Sequence, residues 1–138
     1  MRPPEVKALE EDLSATTHDL NAVLERAEAT FTAMNLGVTA SVALFVDDES
    51  DFCQILTFGK FNHRWCLMLE SGPDGDPDLW RTAPIGNASR EVRAEAIDRL
   101  EPLYRELLKT AAAETAALRT KVTKASSFLD KLTGGGAS

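Results

Sequence analysis

The chain begins with a helical pattern of apolar residues and then changes to a strand pattern. Between residues 5 and 35, apolar side chains recur at spacings of three, four or seven, which aligns them along one side of a helix. Pro3 and Pro4 suit the start of this helix, and Gly37 suits its end. From Val38 to Val46 apolar residues occupy alternate positions, which predicts a strand with one face towards a core.

Two more strands are predicted at residues 52–60 and 63–70, after a turn at residues 47–51. A hairpin turn at Phe61 and Asn62 would place the large apolar residues of both strands on one face of an antiparallel meander. The predicted core of the sheet consists of Val42, Leu44, Leu56, Phe58, Trp65 and Leu67.

The segment after the third strand is expected to be a loop, followed by a long helix. Residues 71–84 are rich in Gly, Pro and Asp, as loops are. Asn87 or Ser89 suits a helix N-cap, and apolar residues then recur every three or four positions as far as Leu132. Pro102 lies inside this pattern and removes one helical hydrogen bond, so we expect a kink there.

These elements predict the α+β class, with a long N-terminal helix, a three-stranded antiparallel meander and a long C-terminal helix, in which the pattern leaves open whether Pro102 causes a kink or a break. Residues 1–133 are expected to form a single domain, whose helical extension begins at about residue 110, and residues 134–138 a flexible tail. The order helix, three strands, helix resembles that of the YbaB/EbfC-type nucleoid-associated proteins, which are dimers. The resemblance is one of topology over most of the chain, and it implies DNA binding as an alternative function.

Charge is distributed unevenly along the chain, whose net charge is −7. Residues 37–80 carry eight acidic and two basic groups, which argues against a protein whose whole surface grips phosphates. The C-terminal end has the opposite sign, because the final twenty residues carry four basic groups and one acidic group. These cations suit the end of a solvated helix. They also leave DNA contact through the basic C-terminal helix ends as the alternative.

Metal binding and catalysis are not expected. The residues suited to a soft metal are His18, Cys53, His63 and Cys66. His63 and Cys66 are three apart in a strand and point to opposite faces, and the predicted register separates the two thiols by roughly 13 Å. Neither a disulfide nor a zinc site fits that distance. We therefore predict thiols that are not paired with each other and no metal or other cofactor.

The sequence motifs for calcium binding, phosphate binding and nucleophilic catalysis are also incomplete or missing. Asp74, Asp76 and Asp78 alternate as at the start of a calcium loop, but the glycine and the final glutamate of that loop are missing. The chain has no Gly-rich phosphate loop, and its sequence places no nucleophile beside either histidine. A non-enzymatic protein is therefore predicted, with an enzyme of unknown class as the third choice.

Several residues are typical of protein interfaces. Tryptophan and arginine often dominate binding, although a tryptophan in a loop can instead cover the edge of a core. Two arginines lie in the first turn of the last helix, where the helix dipole disfavours cations. We therefore expect acidic groups to offset them, either Glu91 and Glu95 nearby, the turn at residues 47–51, or a partner. The candidate partner-binding residues are Trp80, Arg81, Arg90, Arg93 and, at the hairpin tip, Lys60 and His63.

The end of the last helix carries an apolar stripe that continues past the reach of a small sheet. Its members are Leu118, Val122, Ala125, Leu129 and Leu132. Paired with another copy, this stripe would be an oligomer seam; folded back onto the first helix, it would leave a monomer.

The predicted function is a non-enzymatic interaction protein that acts as a homo-oligomer. It would serve as an adaptor, a chaperone-like subunit, or an inhibitor or regulator of a larger machine, with an unidentified larger protein as partner. The acidic body would also suit competition with nucleic acid for a basic partner. No secretory signal or membrane-spanning stretch is visible, and we expect a cytoplasmic protein without a membrane partner.

Overall fold

The computed structural model describes residues 3–47, 49 and 51–134. The α+β class is confirmed, since long helices flank an antiparallel sheet. Two short 3₁₀ turns occupy Pro77–Leu79 and Ile85–Asn87. In chain order the described helices and strands are α1 (Pro4–Ala33), β1 (Ala40–Asp47), β2 (Phe52–Phe61), β3 (Arg64–Pro73), β4 (Arg81–Pro84), α2 (Arg90–Asp98) and α3 (Leu100–Leu132). Residues 48 and 50 of the predicted turn and 135–138 of the predicted tail lie outside the described residues.

The sheet has four strands in the order β1-β2-β3-β4 rather than the predicted three. The fourth strand lies in the stretch of residues 71–84 that we expected to be a loop. β4 is four residues long and pairs Ala83 with Leu69 and Arg81 with Ser71. Composition concealed it because a short edge strand tolerates a proline at its end, where no ladder donor is required.

The β2–β3 hairpin turns one residue later than predicted. Asn62 and His63 have φ values of 51° and 67°, as in a two-residue type I′ turn, which Asn favours at its first position. Phe58 therefore pairs with Leu67, whereas the predicted turn at Phe61 and Asn62 would have placed it opposite Trp65. This shift of two residues leaves each side chain on its predicted face, since strand faces alternate with a period of two.

A β-bulge interrupts β1 and corrects the predicted position of Val46. The pairing runs from Ala43 opposite Ile55 to Phe45 opposite Gln54, so Leu44 is the extra residue. Beyond a bulge the alternation of faces is reversed. Val46 therefore leaves the face that it was predicted to share with Leu44, and it is 54% exposed.

The core lies between one face of the sheet and the three helices. Of the predicted core residues, Leu44, Leu56, Phe58 and Leu67 are buried, and Val42 and Trp65 are half-buried against them. The helices supply the other half of the core, namely Leu24 and Phe31 from α1, Ala96 from α2, and Leu103 and Leu107 from α3.

The predicted C-terminal helix is broken rather than kinked. The Ser89 side chain accepts a hydrogen bond from the Val92 amide at the start of α2, which ends at Asp98. α3 begins after Arg99, so that Pro102 is its third residue. Amides of a first helical turn have no helical acceptor, and the amide that proline lacks is therefore not missed at this position.

The edge of β3 is covered partly by β4 and partly by α1. β4 pairs with residues 68–71 of β3, and the preceding residues of β3 lie beyond its reach. There the Leu67 amide donates to Oε1 of Glu28 on α1, at 2.8 Å. The carboxylate of a helix thus takes the place of a strand carbonyl at this point of the sheet.

Both long helices extend past the sheet. α1 has 30 residues and α3 has 33, or about 45 and 50 Å of helix. β2 and β3 have 10 residues each, or about 33 Å of strand. The excess length is exposed, because every residue from 4 to 16 and every residue from 112 to 132 is exposed. We call these segments the N-terminal arm (residues 4–16) and the C-terminal arm (residues 112–132).

Candidate interaction surfaces

The C-terminal arm carries the predicted seam on its surface. It prolongs the side of α3 that buries Leu103 and Leu107 in the core. Past Ala111 this apolar side has nothing to cover it within the described chain. Leu118, Val122, Leu129 and Leu132 are 53%, 63%, 55% and 67% exposed, and Ala125 lies among them and is also exposed.

Basic side chains border this apolar stripe. By helical position, Lys121 and Lys124 lie along one side of it and Arg119 along the other. Phe128 widens the stripe on the side of the lysines and is 58% exposed. The heptad pattern did not mark Phe128, because it falls between the seam positions Ala125 and Leu129. Its place beside the stripe could have been found by counting helical angles rather than heptad positions.

The N-terminal arm exposes a second apolar stripe, which belongs to the single helical pattern predicted for residues 5–35. Val6, Leu9 and Leu13 are 40%, 66% and 48% exposed. They continue the line of Leu24 and Phe31, which are buried. The apolar pattern identifies the correct line of residues along α1, but it does not show the point at which the sheet ceases to cover that line. Comparing the predicted length of the helix with that of the strands would have shown the excess.

A groove runs beside the N-terminal arm, where α1 meets the start of α2. Its lining includes Leu13, Ser14 and Thr17 from α1 and Arg90 from α2. His18 also borders it and is exposed. Arg90 is thus one of the predicted partner-binding residues that lies at an open surface, next to the exposed Leu13.

Arg93 has a different environment from Arg90. Its Nη1 donates a hydrogen bond to Oδ1 of Asn21 on α1. Its Nε is buried and has no hydrogen-bond acceptor among the described residues. The guanidinium therefore joins α2 to α1 within the fold, one helical turn from the groove that contains Arg90.

Lys60 and His63 at the hairpin tip have the environments expected of residues at and beside a tight turn. Lys60 Nζ lies 5.4 Å from the centroid of the Trp65 ring, a cation–π contact. Trp65 in turn stacks on Phe58, with ring centroids 5.6 Å apart. His63 occupies the second position of the turn and is exposed. The lysine is thus placed by the aromatic surface beneath it.

Trp80 covers one end of the sheet. Its Nε1 donates to the Pro73 carbonyl at 2.8 Å, and its ring lies against Gly72, where a Cβ atom would come within 2.7 Å of it. Trp80 is half-buried, whereas its neighbour Arg81 is exposed. The contact accounts for both a tryptophan in a polar segment and a glycine inside a strand.

The six candidate residues are not brought together into one site. Lys60 and His63 lie at one end of β3, and Trp80 packs against Gly72 near the other end, some 25–30 Å away along an extended strand. The two arginines of α2 lie beside α1 instead. Large exposed apolar side chains recur along both arms instead, namely Val6, Leu9 and Leu13 on one and Leu118, Val122, Phe128, Leu129 and Leu132 on the other.

The cysteines lie far apart on the sheet. Cys53 pairs with Gly72 and Cys66 with Gly59, six positions away along β2, and the two are not joined by a disulfide. Burial, and after it the Glu28 carboxylate, raises the pKa of the Cys66 thiol, while Arg64 offsets part of the rise. Within the described residues no group of three or more His, Cys, Asp or Glu side chains is arranged to hold a metal ion.

The chain matches no protein-family model, no curated protein and no solved structure. Among the described helices, none contains a stretch long and apolar enough to cross a bilayer.

Proposed function

We propose that this protein is a non-enzymatic interaction protein that acts as a homo-oligomer, with the C-terminal arm as its contact surface. One observation supports the proposal above the others: an apolar stripe continues from the core into 21 residues of exposed helix. Contiguous exposed apolar surface is costly in water and commonly marks an interface. Within such an assembly the protein would act as an adaptor, a chaperone-like subunit or a regulator of a larger protein machine in the cytoplasm.

Light scattering at tens of micromolar protein tests the proposal. The wild-type chain is expected to have at least twice the monomer mass, and Leu118→Glu with Leu129→Glu should have the monomer mass. Leu79→Glu is the matched control, because Leu79 is 60% exposed but lies on the short 3₁₀ turn, away from both arms. A wild-type monomer mass would contradict the proposal.

DNA binding is the second candidate, and one observation favours it. Arg119, Lys121, Lys124 and Lys131 are all exposed on the C-terminal arm, and Arg119, Lys124 and Lys131 share the face of the arm that points away from the apolar stripe. If these cations bind phosphates, DNA affinity will fall steeply with salt. Reversing Lys121 and Lys124 to glutamate would then abolish binding to a duplex of arbitrary sequence, whereas Lys109→Glu, which lies on α3 outside the C-terminal arm, would leave most of it.

A further inference from the structure

The two arms have opposite charge. The N-terminal arm contains Glu5, Glu10, Glu11 and Asp12 with Lys7 as its one cation, whereas the C-terminal arm contains four cations and two carboxylates. By helical position, Glu5 and Asp12 lie along one side of the stripe formed by Val6, Leu9 and Leu13. An acidic border on one apolar stripe therefore matches the basic border on the other.

We infer that the C-terminal arm docks on the N-terminal arm of a second copy of this chain. This inference rests on the proposed function and adds to it the surface that receives the seam. In a two-fold dimer each copy would give one C-terminal arm and receive one, so that both stripes of both copies are covered. Two-fold symmetry closes such a reciprocal contact without leaving a free end.

Pairing of the two arms within one chain does not occur in this structure, because both arms are exposed throughout. The arrangement of the helices explains why. Tyr104, in the first turns of α3, stacks on Phe31, with ring centroids 6.4 Å apart. Leu107 then lies beside the end of α1, next to Asn35 and Val38. The N-terminal arm is the other end of α1, about 20 Å or more along that helix from Phe31.

Pairing of two C-terminal arms with each other is the less favourable arrangement. Such a seam would bring the basic borders of both copies, including Lys121 and Lys124, to one contact, and like charges across a helix interface are destabilising. The N-terminal arm offers carboxylates at the corresponding place. It also borders a groove between α1 and α2, which Leu13 lines together with polar residues.

Apolar substitutions on the receiving arm provide the first test. Leu9→Glu with Leu13→Glu should raise the dissociation constant of the homodimer at least about a hundredfold, because two interface leucines are replaced by charges facing apolar surface. Leu118→Glu with Leu129→Glu should do the same, and Leu79→Glu should leave the constant unchanged. Sedimentation velocity measures all three, with circular dichroism confirming that each variant is folded.

Charge reversal provides the second test and does not depend on apolar residues. Glu5→Lys with Asp12→Lys, or Lys121→Glu with Lys124→Glu, should each weaken the dimer about tenfold. The four changes combined in one chain should restore it to within about threefold of wild type. Glu11→Lys and Lys109→Glu are the matched controls, because both lie on the far sides of their helices from the stripes.

The outcomes separate the inference from the proposal that it rests on. If Leu9→Glu with Leu13→Glu remains dimeric while Leu118→Glu with Leu129→Glu is monomeric, the C-terminal arms pair with each other. The homo-oligomer then stands and the docking inference is overturned. A lack of rescue in the fourfold charge variant would also overturn it. A monomeric wild-type protein would contradict both the docking inference and the proposed homo-oligomer.

Discussion

At the scale of single residues, His63 occupies a backbone conformation that glycine adopts more readily. Its φ of 67° belongs to the second position of a type I′ turn, where Gly is the usual residue. We expect His63→Gly to raise the free energy of unfolding by about 0.5–1 kcal/mol, because it removes the left-handed strain. Urea denaturation measures the difference. Asn62→Gly should change little, since Asn tolerates its φ of 51°, and an equal gain from both would refute this account of the turn.

The thiol of Cys66 should react slowly in the folded protein. Burial and the neighbouring Glu28 raise its pKa, so a smaller fraction is thiolate at any given pH below that pKa. At about pH 8 we expect alkylation by iodoacetamide to be several-fold slower than in the urea-unfolded chain. The folded rate should continue to rise at higher pH, where the unfolded rate levels off. Comparison with Cys66→Ser identifies the contribution of this residue, and equal rates in both states would contradict the expectation.

The sequence specified which face each strand residue occupies better than it specified which residues pair. Phe58 and Leu67 are both on the core face, as the alternation predicts, although they pair with each other rather than with the predicted partners. Register depends on turn geometry, and Asn62 and His63 supply a tight turn that apolar patterning does not encode. The bulge at Leu44 could not be predicted either, because the alternation of apolar residues continues to Val46 as it would in a strand without a bulge.

At the scale of elements, the N-cap of α2 offers a direct test of local stability. The Ser89 side chain accepts the Val92 amide hydrogen bond at 3.2 Å, and removing such a cap costs about 1 kcal/mol. We expect Ser89→Ala to lower the free energy of unfolding by that amount. Ser127→Ala, at an exposed position inside α3, is the control and should be neutral or slightly stabilising, since Ala is the better helix former. Similar losses from both variants would mean that the cap contributes nothing.

The break between α2 and α3 was predictable from Pro102 in its position but not in its form. A proline in a helical pattern predicts a disruption at the residues just before it, and the disruption is present at Arg99. Whether the chain kinks or starts a new helix depends on tertiary packing. Here Ala96, Leu103 and Leu107 all reach the core, and burying residues from both sides of the break favours two separate helices.

At the scale of the whole molecule, the opposite charges of the arms predict a salt dependence for self-association. Attraction between oppositely charged surfaces is screened as the Debye length falls from about 30 Å at 0.01 M salt to about 3 Å at 1 M. The dissociation constant of the wild-type dimer should therefore rise with sodium chloride concentration, as measured by sedimentation. A dimer that tightens with salt would instead indicate contact between surfaces of like charge.

Of the two arms that form the candidate surface, only the C-terminal arm was predicted from the sequence. The stripe from Leu118 to Leu132 was found because its spacing continues beyond any core that a small sheet could supply. The N-terminal arm was missed, because Val6, Leu9 and Leu13 have the same spacing as the buried residues farther along α1. A one-dimensional pattern shows which side of a helix is apolar, and only the length of the neighbouring sheet shows where that side becomes surface.

The hydrogen bond from Leu67 to Glu28 has a consequence for the behaviour of the protein at high concentration. A strand edge with unpaired amides is a template for another chain, and proteins that leave such edges open tend to aggregate. β4 ends opposite residue 68, and the Glu28 carboxylate occupies the next amide along the edge. It also places a negative charge where an incoming strand would have to pair.

We therefore expect Glu28→Ala to shorten the time before turbidity appears in a concentrated, gently heated sample. Its cost in the free energy of unfolding should be only about 1–2 kcal/mol, from one unsatisfied amide. Glu25→Ala, which removes a carboxylate from the same surface groove one turn away, should not change that time, and equal behaviour of the two variants would argue against this role. The side chain of Glu28 would then protect the part of the β3 edge that β4 is too short to cover. It would prevent two copies of the protein from pairing through that edge in solution.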